Sequence, residues 1–206
     1  MNLADELTYR ILLGLLGGFY FLLRQFYIRK FRALDKTHTR NEQQATLGYK
    51  TLYAANFFML VYVFTPWVDF AHLPLPGFLR WLGFAAIIAA FALYAWTHHT
   101  LGELWSGFLE ISANHQLRTE GPYQYVRHPM YSAFFLYAIG VTLASANLLI
   151  GGVLLGATLL MYRMRVDAEE QMMLDQFGDD YRAYMNRSNR LWPRVPKPRS
   201  PTSGAP

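Results

Sequence analysis

Residues 133–161 read AFFLYAIGVTLASANLLIGGVLLGATLLM, twenty-nine positions without one charged side chain. At ~1.5 Å of helix rise per residue, this stretch is too long for one ordinary crossing of a ~30 Å hydrocarbon layer. It is also short for two, since each half would reach only ~22–26 Å. Its middle, Ser145-Ala146-Asn147, holds small and polar residues that suit a tight helical hairpin. One long tilted helix is the alternative, and the two readings differ by one crossing. Working outward, the hairpin gives spans at about 131–146 and 148–163, followed by a polar helical extension over about 164–187. Upstream, three further charge-poor segments fall at about 9–28, which contains ILLGLLGGFYFLL, at 51–67 and at 78–97. Arg10 and Arg24 lie near enough to the ends of the first segment to snorkel toward the headgroups, and Arg80 lies at the edge of the third.

Basic residues choose between five spans and four. With five, residues 24–50, 98–130 and 163–206 share one side and hold seven, two and eight of the 19 lysines and arginines; only Arg10 and Arg80 lie opposite. Such an excess marks the cytoplasmic side. It places the N-terminus outside and the C-terminus in the cytoplasm, in what reads as a prokaryotic inner membrane. Four spans would put the eight basic residues of the last segment on the wrong side. The expected fold is therefore an all-α integral membrane protein of five transmembrane helices, the fourth and fifth a hairpin, within one domain over 1–193. Residues 194–206 form a Pro/Ser-rich tail expected to fray. The opening MNLADEL is acidic and no cleavage site follows, so no signal peptide is read there.

Composition agrees with this picture. Of 206 residues, 53% are hydrophobic, 17% aromatic and only 16% charged, against about 25% charged in a soluble domain. A chain so apolar is not disordered. The absence of cysteine removes a disulfide scaffold, thiolate catalysis and thiolate-bound zinc. The net charge of +5 could point to nucleic acid, but the basic residues flank the spans and face anionic headgroups, so none is expected as a partner. The GxxxG patterns at Gly14–Gly18 and Gly152–Gly156 read as helix-packing sites. His98, His99, His115 and His128 share a side with Glu169 and Glu170 but lack the HxxxH or HExxH spacing of a metal site, and no metal is expected.

The chemistry-bearing residues gather on the cytoplasmic side. Gly121-Pro122-Tyr123 makes a turn, then come Arg127-His128-Pro129 and Tyr131. Pro129 suits the first turn of span four, where unpaired N–H groups and the helix dipole favour an anion. Arg127 and His128 stand beside that anion site, or simply anchor the helix at the headgroups; spacing alone leaves both open. In the extension of span five, Arg165 and Glu169 share a helix face at i,i+4. Met173, Phe177 and Tyr181 continue that spacing as an apolar docking stripe. Taken alone, the Arg165/Glu169 pair reads equally as a solvated ion pair worth a few tenths of a kcal/mol.

The strings HQLRTEGPYQYVRHPMY (115–131) and EEQMMLDQFGDDYRAY (169–184), with LGELWS (101–106) before and Leu191-Trp192-Pro193 after them, resemble the signatures of the isoprenylcysteine carboxyl methyltransferase superfamily. These integral membrane enzymes include phospholipid methyltransferase-like members. The resemblance covers about 100–193, with two motifs in the right order around a helical hairpin. It implies a cytoplasm-facing pocket for S-adenosyl-L-methionine, closed by the loop and the C-terminal helix, with a lipophilic acceptor arriving sideways from the bilayer. By position, Arg165 and Glu169 match the catalytic pair near the acceptor. His115, Leu117, Tyr123, Arg127, His128, Pro129, Tyr131 and Glu170 match the cofactor side. The expected roles follow: Arg127-His128 receive the cofactor's amino-acid end, Tyr123 and Tyr131 shelter the sulfonium, Arg165 holds an anionic acceptor and Glu169 fixes its fork. A carboxylate acceptor needs no base; for an amine, Glu169 would serve. Relatives in fold methylate prenylcysteine carboxylates, phospholipid amines or small thiols. An NADPH-dependent sterol-type reductase and a non-enzymatic membrane adaptor are the rival readings. The sequence does not speak on oligomeric state.

Overall fold

Every charge-poor segment forms a helix. In the computed structural model, which describes residues 3–31, 38–39, 42–102, 110–111 and 117–194, these are α1 (Leu3–Phe31), α2 (Glu42–Phe64), α3 (Gly77–Leu101), α4 (Pro129–Ser145) and α5 (Leu148–Arg187). A helix satisfies each backbone N–H and C=O within its own segment, as an apolar surrounding demands. The second helix stops at Phe64 rather than 67, because Pro66 offers no donor and biases Thr65 away from helical geometry. A 3₁₀ turn at Asp69–Ala71 leads into α3, and His38–Thr39 pairs antiparallel with Glu110–Ile111.

The chain reverses at Ala146-Asn147, so the hairpin forms and a single long helix does not. Ala146 adopts a left-handed conformation (φ 48°, ψ 40°), which ends α4. Asn147 then caps α5: its Oδ1 accepts from the N–H groups of Leu149 and Ile150, both at 3.1 Å. Its Nδ2 donates to the Val68 carbonyl at 2.7 Å, tying the turn to the loop before α3. Such a cap is worth about 1 kcal/mol.

Packing is tightest between α3 and α4, where two glycines face each other. A Cβ on Gly83 would lie 2.7 Å from the Gly140 carbonyl, and one on Gly140 2.8 Å from the Gly83 carbonyl. The expected packing at GxxxG sites holds only in part. A Cβ on Gly14 would approach Val63 and one on Gly17 would approach Met59, but one on Gly18, Gly152 or Gly156 would meet no neighbouring element within 4 Å among the described residues. The buried core includes Leu13, Ile87, Ala138, Val141, Leu154 and Met161. The first helix shows the reverse face: Leu7, Ile11, Leu15, Leu22 and Phe26 form an exposed apolar stripe. A soluble helix would turn such a stripe inward. Among the described residues, three helices, over Asp5–Lys30, Gly77–Leu101 and Leu148–Arg187, are long and apolar enough to cross a membrane, and Lys50–Phe64 and Pro129–Ser145 are shorter apolar helices. These are the features of an integral membrane protein.

Two sequence expectations change here. Arg10 and Arg24, expected to snorkel, turn inward, and Arg80 at the edge of the third segment turns inward too. Arg80 is fully buried, donating to Glu6 at 2.6 Å, to the Ala144 carbonyl at 2.9 Å and to the Tyr62 hydroxyl at 3.2 Å, with its guanidinium over the Tyr9 ring. Arg10 pairs with Asp69 and donates to the carbonyls of Tyr62 and Thr65, while Arg24 donates to the Tyr53 hydroxyl at 2.6 Å. α5 runs on through residue 163 into the polar extension and breaks at Gly178 (φ 49°, ψ −118°). The continuous stripe expected through Phe177 to Tyr181 ends there. Tyr181 and Tyr184 are buried from the turned segment beyond it.

Candidate active site

The two predicted clusters meet between the start of α4 and the middle of α5. Arg165, buried on α5, donates from Nε to Glu169 Oε1 at 3.1 Å and lies 3.0 Å away through Nη2. The Tyr131 hydroxyl, from the first turn of α4, donates to the same oxygen at 2.8 Å and lies 3.2 Å from Arg165 Nε. One turn of helix sets Arg165 above Glu169, and the α4–α5 hairpin brings Tyr131 across to them.

His128 links this trio to the second carboxylate. Its ring lies between the two acids, Nε2 at 3.3 Å from Glu170 Oε1 and Nδ1 at 3.6 Å from Glu169 Oε2. Glu170 is the more deeply set, its side chain 5% exposed against 24% for Glu169. Its Oε1 also accepts from Arg127 Nε at 3.0 Å, while Oε2 accepts from Arg190 Nε at 3.0 Å and Nη2 at 2.6 Å. Burial alone would raise this carboxyl. The hydrogen bonds from His128, Arg190 and Arg127 prevail and hold it at about 2. Arg190 is shifted upward in turn, chiefly by its hydrogen bond to Glu170.

Arg127 is occupied by protein. Besides Glu170 it donates to the carbonyls of Met185, at 3.1 Å, and Ser188, which end α5. A cation at a helix C-terminus is favoured by the dipole. The backbone completes the join: the N–H of Arg127 bonds to the Asn189 carbonyl at 2.8 Å and that of His128 to the Arg190 carbonyl at 2.9 Å. The Ser132 hydroxyl donates to the Leu191 carbonyl at 2.7 Å, and the Tyr184 hydroxyl to the Tyr123 carbonyl at 2.6 Å. Residues 188–191 thus run beside the loop that opens α4.

Of the residues singled out by sequence, Arg165, Glu169, Tyr131, His128, Glu170 and Arg127 come together. Pro129 is buried as the first residue of α4. Tyr123 is half-buried in a 3₁₀ turn over Gly121–Gln124, and its carbonyl, rather than its ring, makes the recorded bond to this cluster's frame. Leu117 is half-buried on the approach to that turn. His115 lies outside the described residues. Arg190 and Asp167 escaped the sequence reading, although Arg190 immediately precedes the quoted Leu191-Trp192-Pro193; Asp167 accepts from Arg190 at 2.9 Å.

The donor set is suited to a zwitterionic, partly cationic ligand. The carboxylates of Glu169 and Glu170 lie among three guanidiniums and one imidazole, and the Tyr131 ring has its edge or face against His128, Phe134 and Tyr162, at centroid separations of 5.7, 6.3 and 5.3 Å. Aromatic faces attract cations. The composition of this cluster therefore fits a sulfonium amino acid.

Comparison with known proteins finds a family match over part of the chain. Residues 81–175 match the sequence model described as the isoprenylcysteine carboxyl methyltransferase (ICMT) family. A protein-S-isoprenylcysteine O-methyltransferase of Schizosaccharomyces pombe is 34% identical over 85 residues, 40% of this chain and 35% of that one. The cobalt-zinc-cadmium resistance protein CzcN of Cupriavidus metallidurans is 27% identical over 58% of this chain and 56% of its own. Among solved structures, a eukaryotic intramembrane Ras methyltransferase ICMT superposes with a TM-score of 0.53 and 26% identity, covering 76% of this chain and 54% of that one. The chain spans about a third to just over half the length of these relatives.

Proposed function

Because residues 81–175 match the isoprenylcysteine carboxyl methyltransferase family model, we propose that this chain is a member of that family and transfers a methyl group from S-adenosyl-L-methionine to a lipophilic acceptor of the prenylcysteine-carboxylate type. The observation that carries the reading is the convergence of Arg165, Glu169 and Tyr131 with His128 and Glu170 in one partly buried cluster. The helices would cross the bilayer five times, with the N-terminus outside. The cluster would then face the cytoplasmic leaflet, within reach of an acceptor that arrives from the lipid.

S-adenosyl-L-methionine, when bound, supplies a methyl carbon made electrophilic by the adjacent sulfonium. The chain's own residues do the positioning. His128 and Glu170, framed by Arg127, belong to the cofactor side, with Tyr123, Leu117, Pro129 and His115. The Tyr131 ring offers its face to positive charge. Arg165 orients an anionic acceptor, and Glu169 locks the guanidinium from its Nε and Nη2 side, so the fork does not rotate. Neither residue needs to move a proton when the acceptor is already a carboxylate. Such alignment contributes up to about 7–11 kcal/mol of a barrier by removing orientational entropy. Phospholipid amines and small thiols remain acceptors to compare in the same assay.

The test is ligand-dependent melting of the detergent-purified protein. S-adenosylhomocysteine at about 100 times its Kd should stabilise the fold by about 2.7 kcal/mol, whereas NADPH should not move it. A rise with NADPH alone identifies a reductase, and a rise with neither overturns the enzyme reading.

A further inference from the structure

Between the loop and the chain's C-terminal stretch, Glu170 acts as a bridge with its two oxygens divided. Oε1 takes Arg127 and His128, and Oε2 takes Arg190 through both Nε and Nη2. Arg190 also reaches Asp167, one turn earlier on the same face of α5, at 2.9 Å. A rigid, planar guanidinium can span both acids in this way; a lysine ammonium, a point charge on a flexible stem, cannot reproduce the fork.

Residues 188–191 do not need the Arg190 side chain to stay in place. The Asn189, Arg190 and Leu191 carbonyls already accept from the Arg127 N–H, the His128 N–H and the Ser132 hydroxyl, and Arg127 caps the end of α5. Only the guanidinium restrains Glu170 Oε2 among the bonds described. The force it exerts therefore falls on the orientation of one carboxylate, and through it on the His128 ring held at the other oxygen.

We propose that Arg190 is a positioning residue for the cofactor side, fixing the Glu170 carboxylate so that His128 is presented in one orientation between the two acids. This rests on the reading given under Proposed function for which half of the site receives the cofactor. The guanidinium itself need touch neither cofactor nor acceptor.

The experiment compares Arg190→Gln and Arg190→Lys with Arg182→Gln, an exposed arginine whose ion pair among the described residues is with Asp179. Three readouts are taken on the full chain in detergent: the Kd for S-adenosylhomocysteine, the NMR shifts of the His128 ring (assigned with His128→Gln), and amide exchange at Arg127 and His128. In Arg190→Gln, affinity should fall about tenfold and the His128 signals should move. Amide protection at 127 and 128 should persist, because the backbone bonds remain. Arg190→Lys should recover part of the affinity, and Arg182→Gln should match wild type throughout. Unmoved His128 signals overturn the proposal. So does lost amide protection, which would make Arg190 a plain fastener of the C-terminal stretch. Unchanged affinity in Arg190→Gln overturns it as well. If the wild type itself binds no S-adenosylhomocysteine, the methyltransferase reading falls, while the His128 signals still decide the role of Arg190.

Discussion

Two ionic clusters lie at opposite ends of α4, and they share a device. At the hairpin end Arg80 donates to the Ala144 carbonyl, where α4 finishes, and Arg10 to the Tyr62 and Thr65 carbonyls, where α2 finishes. At the other end Arg127 donates to the Met185 and Ser188 carbonyls, where α5 finishes. Three arginines thus occupy three helix C-termini, where carbonyls lack intrahelical partners and the dipole is negative. The difference lies in the acids. At the hairpin end both acids, Glu6 and Asp69, serve the capping arginines, and Glu6 also accepts from Tyr62. At the site end Glu170 serves the cap, and a second acid, Glu169, stands beside it with Arg165 and Tyr131, tied to no helix terminus. A structural end needs only the first set. The additional trio, in which Arg165 and Tyr131 are buried and Glu169 is partly open, is what distinguishes the end proposed to perform chemistry.

The sharpest way to break this contrast is to remove the additional trio. Arg165→Ala and Glu169→Ala should each lower turnover about 100-fold, the scale on which misplacing a reactant by about 1 Å acts, while S-adenosylhomocysteine binding persists. Turnover unchanged in both, measured with the true acceptor, would erase the distinction. Next in size is Arg80→Met at the hairpin end. It leaves Glu6 without its closest cation, and removing one partner of a buried pair costs about 3 kcal/mol or more. The melting temperature should drop, with turnover per folded molecule preserved.

The smallest effect concerns pH. Glu170 is held below its ordinary range, at about 2, so its contribution to stability is full above the unfolded carboxyl value near 4.3. It fades as pH falls from there toward 2, because the unfolded chain takes up the proton first. Melting curves of the wild type between pH 5 and 3 should therefore slope downward toward acid. Glu170→Gln should flatten that slope. Equal slopes would mean that Glu170 is not the acid-sensitive member of the cluster.

The helices were legible in the sequence because apolar solvent imposes one demand, the removal of charge, and runs between charges mark them. The reversal at Asn147 was legible too, since an N-cap asparagine within an apolar run has few other uses. The juxtaposition of Arg165 with Glu169 followed from helical spacing, and that of His128 with both acids from motif order around the hairpin. What could not be read was direction. Spacing does not say whether an arginine near a helix end turns out to headgroups or in to the protein, and Arg10 and Arg80 turn in to carbonyls while Arg24 turns in to the Tyr53 hydroxyl. Nor does a GxxxG pattern reveal which glycine faces a neighbour: Gly83 and Gly140, outside any such pattern, make the close crossing, while Gly152 and Gly156 stay open. Arg190 was missed for a related reason, as its partners are 20 and 23 residues away on a helix that has turned back toward it.

That turning back depends on Gly178, where φ is 49°, a value most side chains resist. Beyond it, the residues to Ser188 act as a measured spacer. Each helical residue advances the chain about 1.5 Å and rotates it by about 100°. Deleting a single residue between Asp179 and Arg187 would aim Tyr184 away from the Tyr123 carbonyl and slide residues 188–191 out of step with the loop. The length of this short helix therefore does as much to join α5 to the loop before α4 as the identity of any side chain within it.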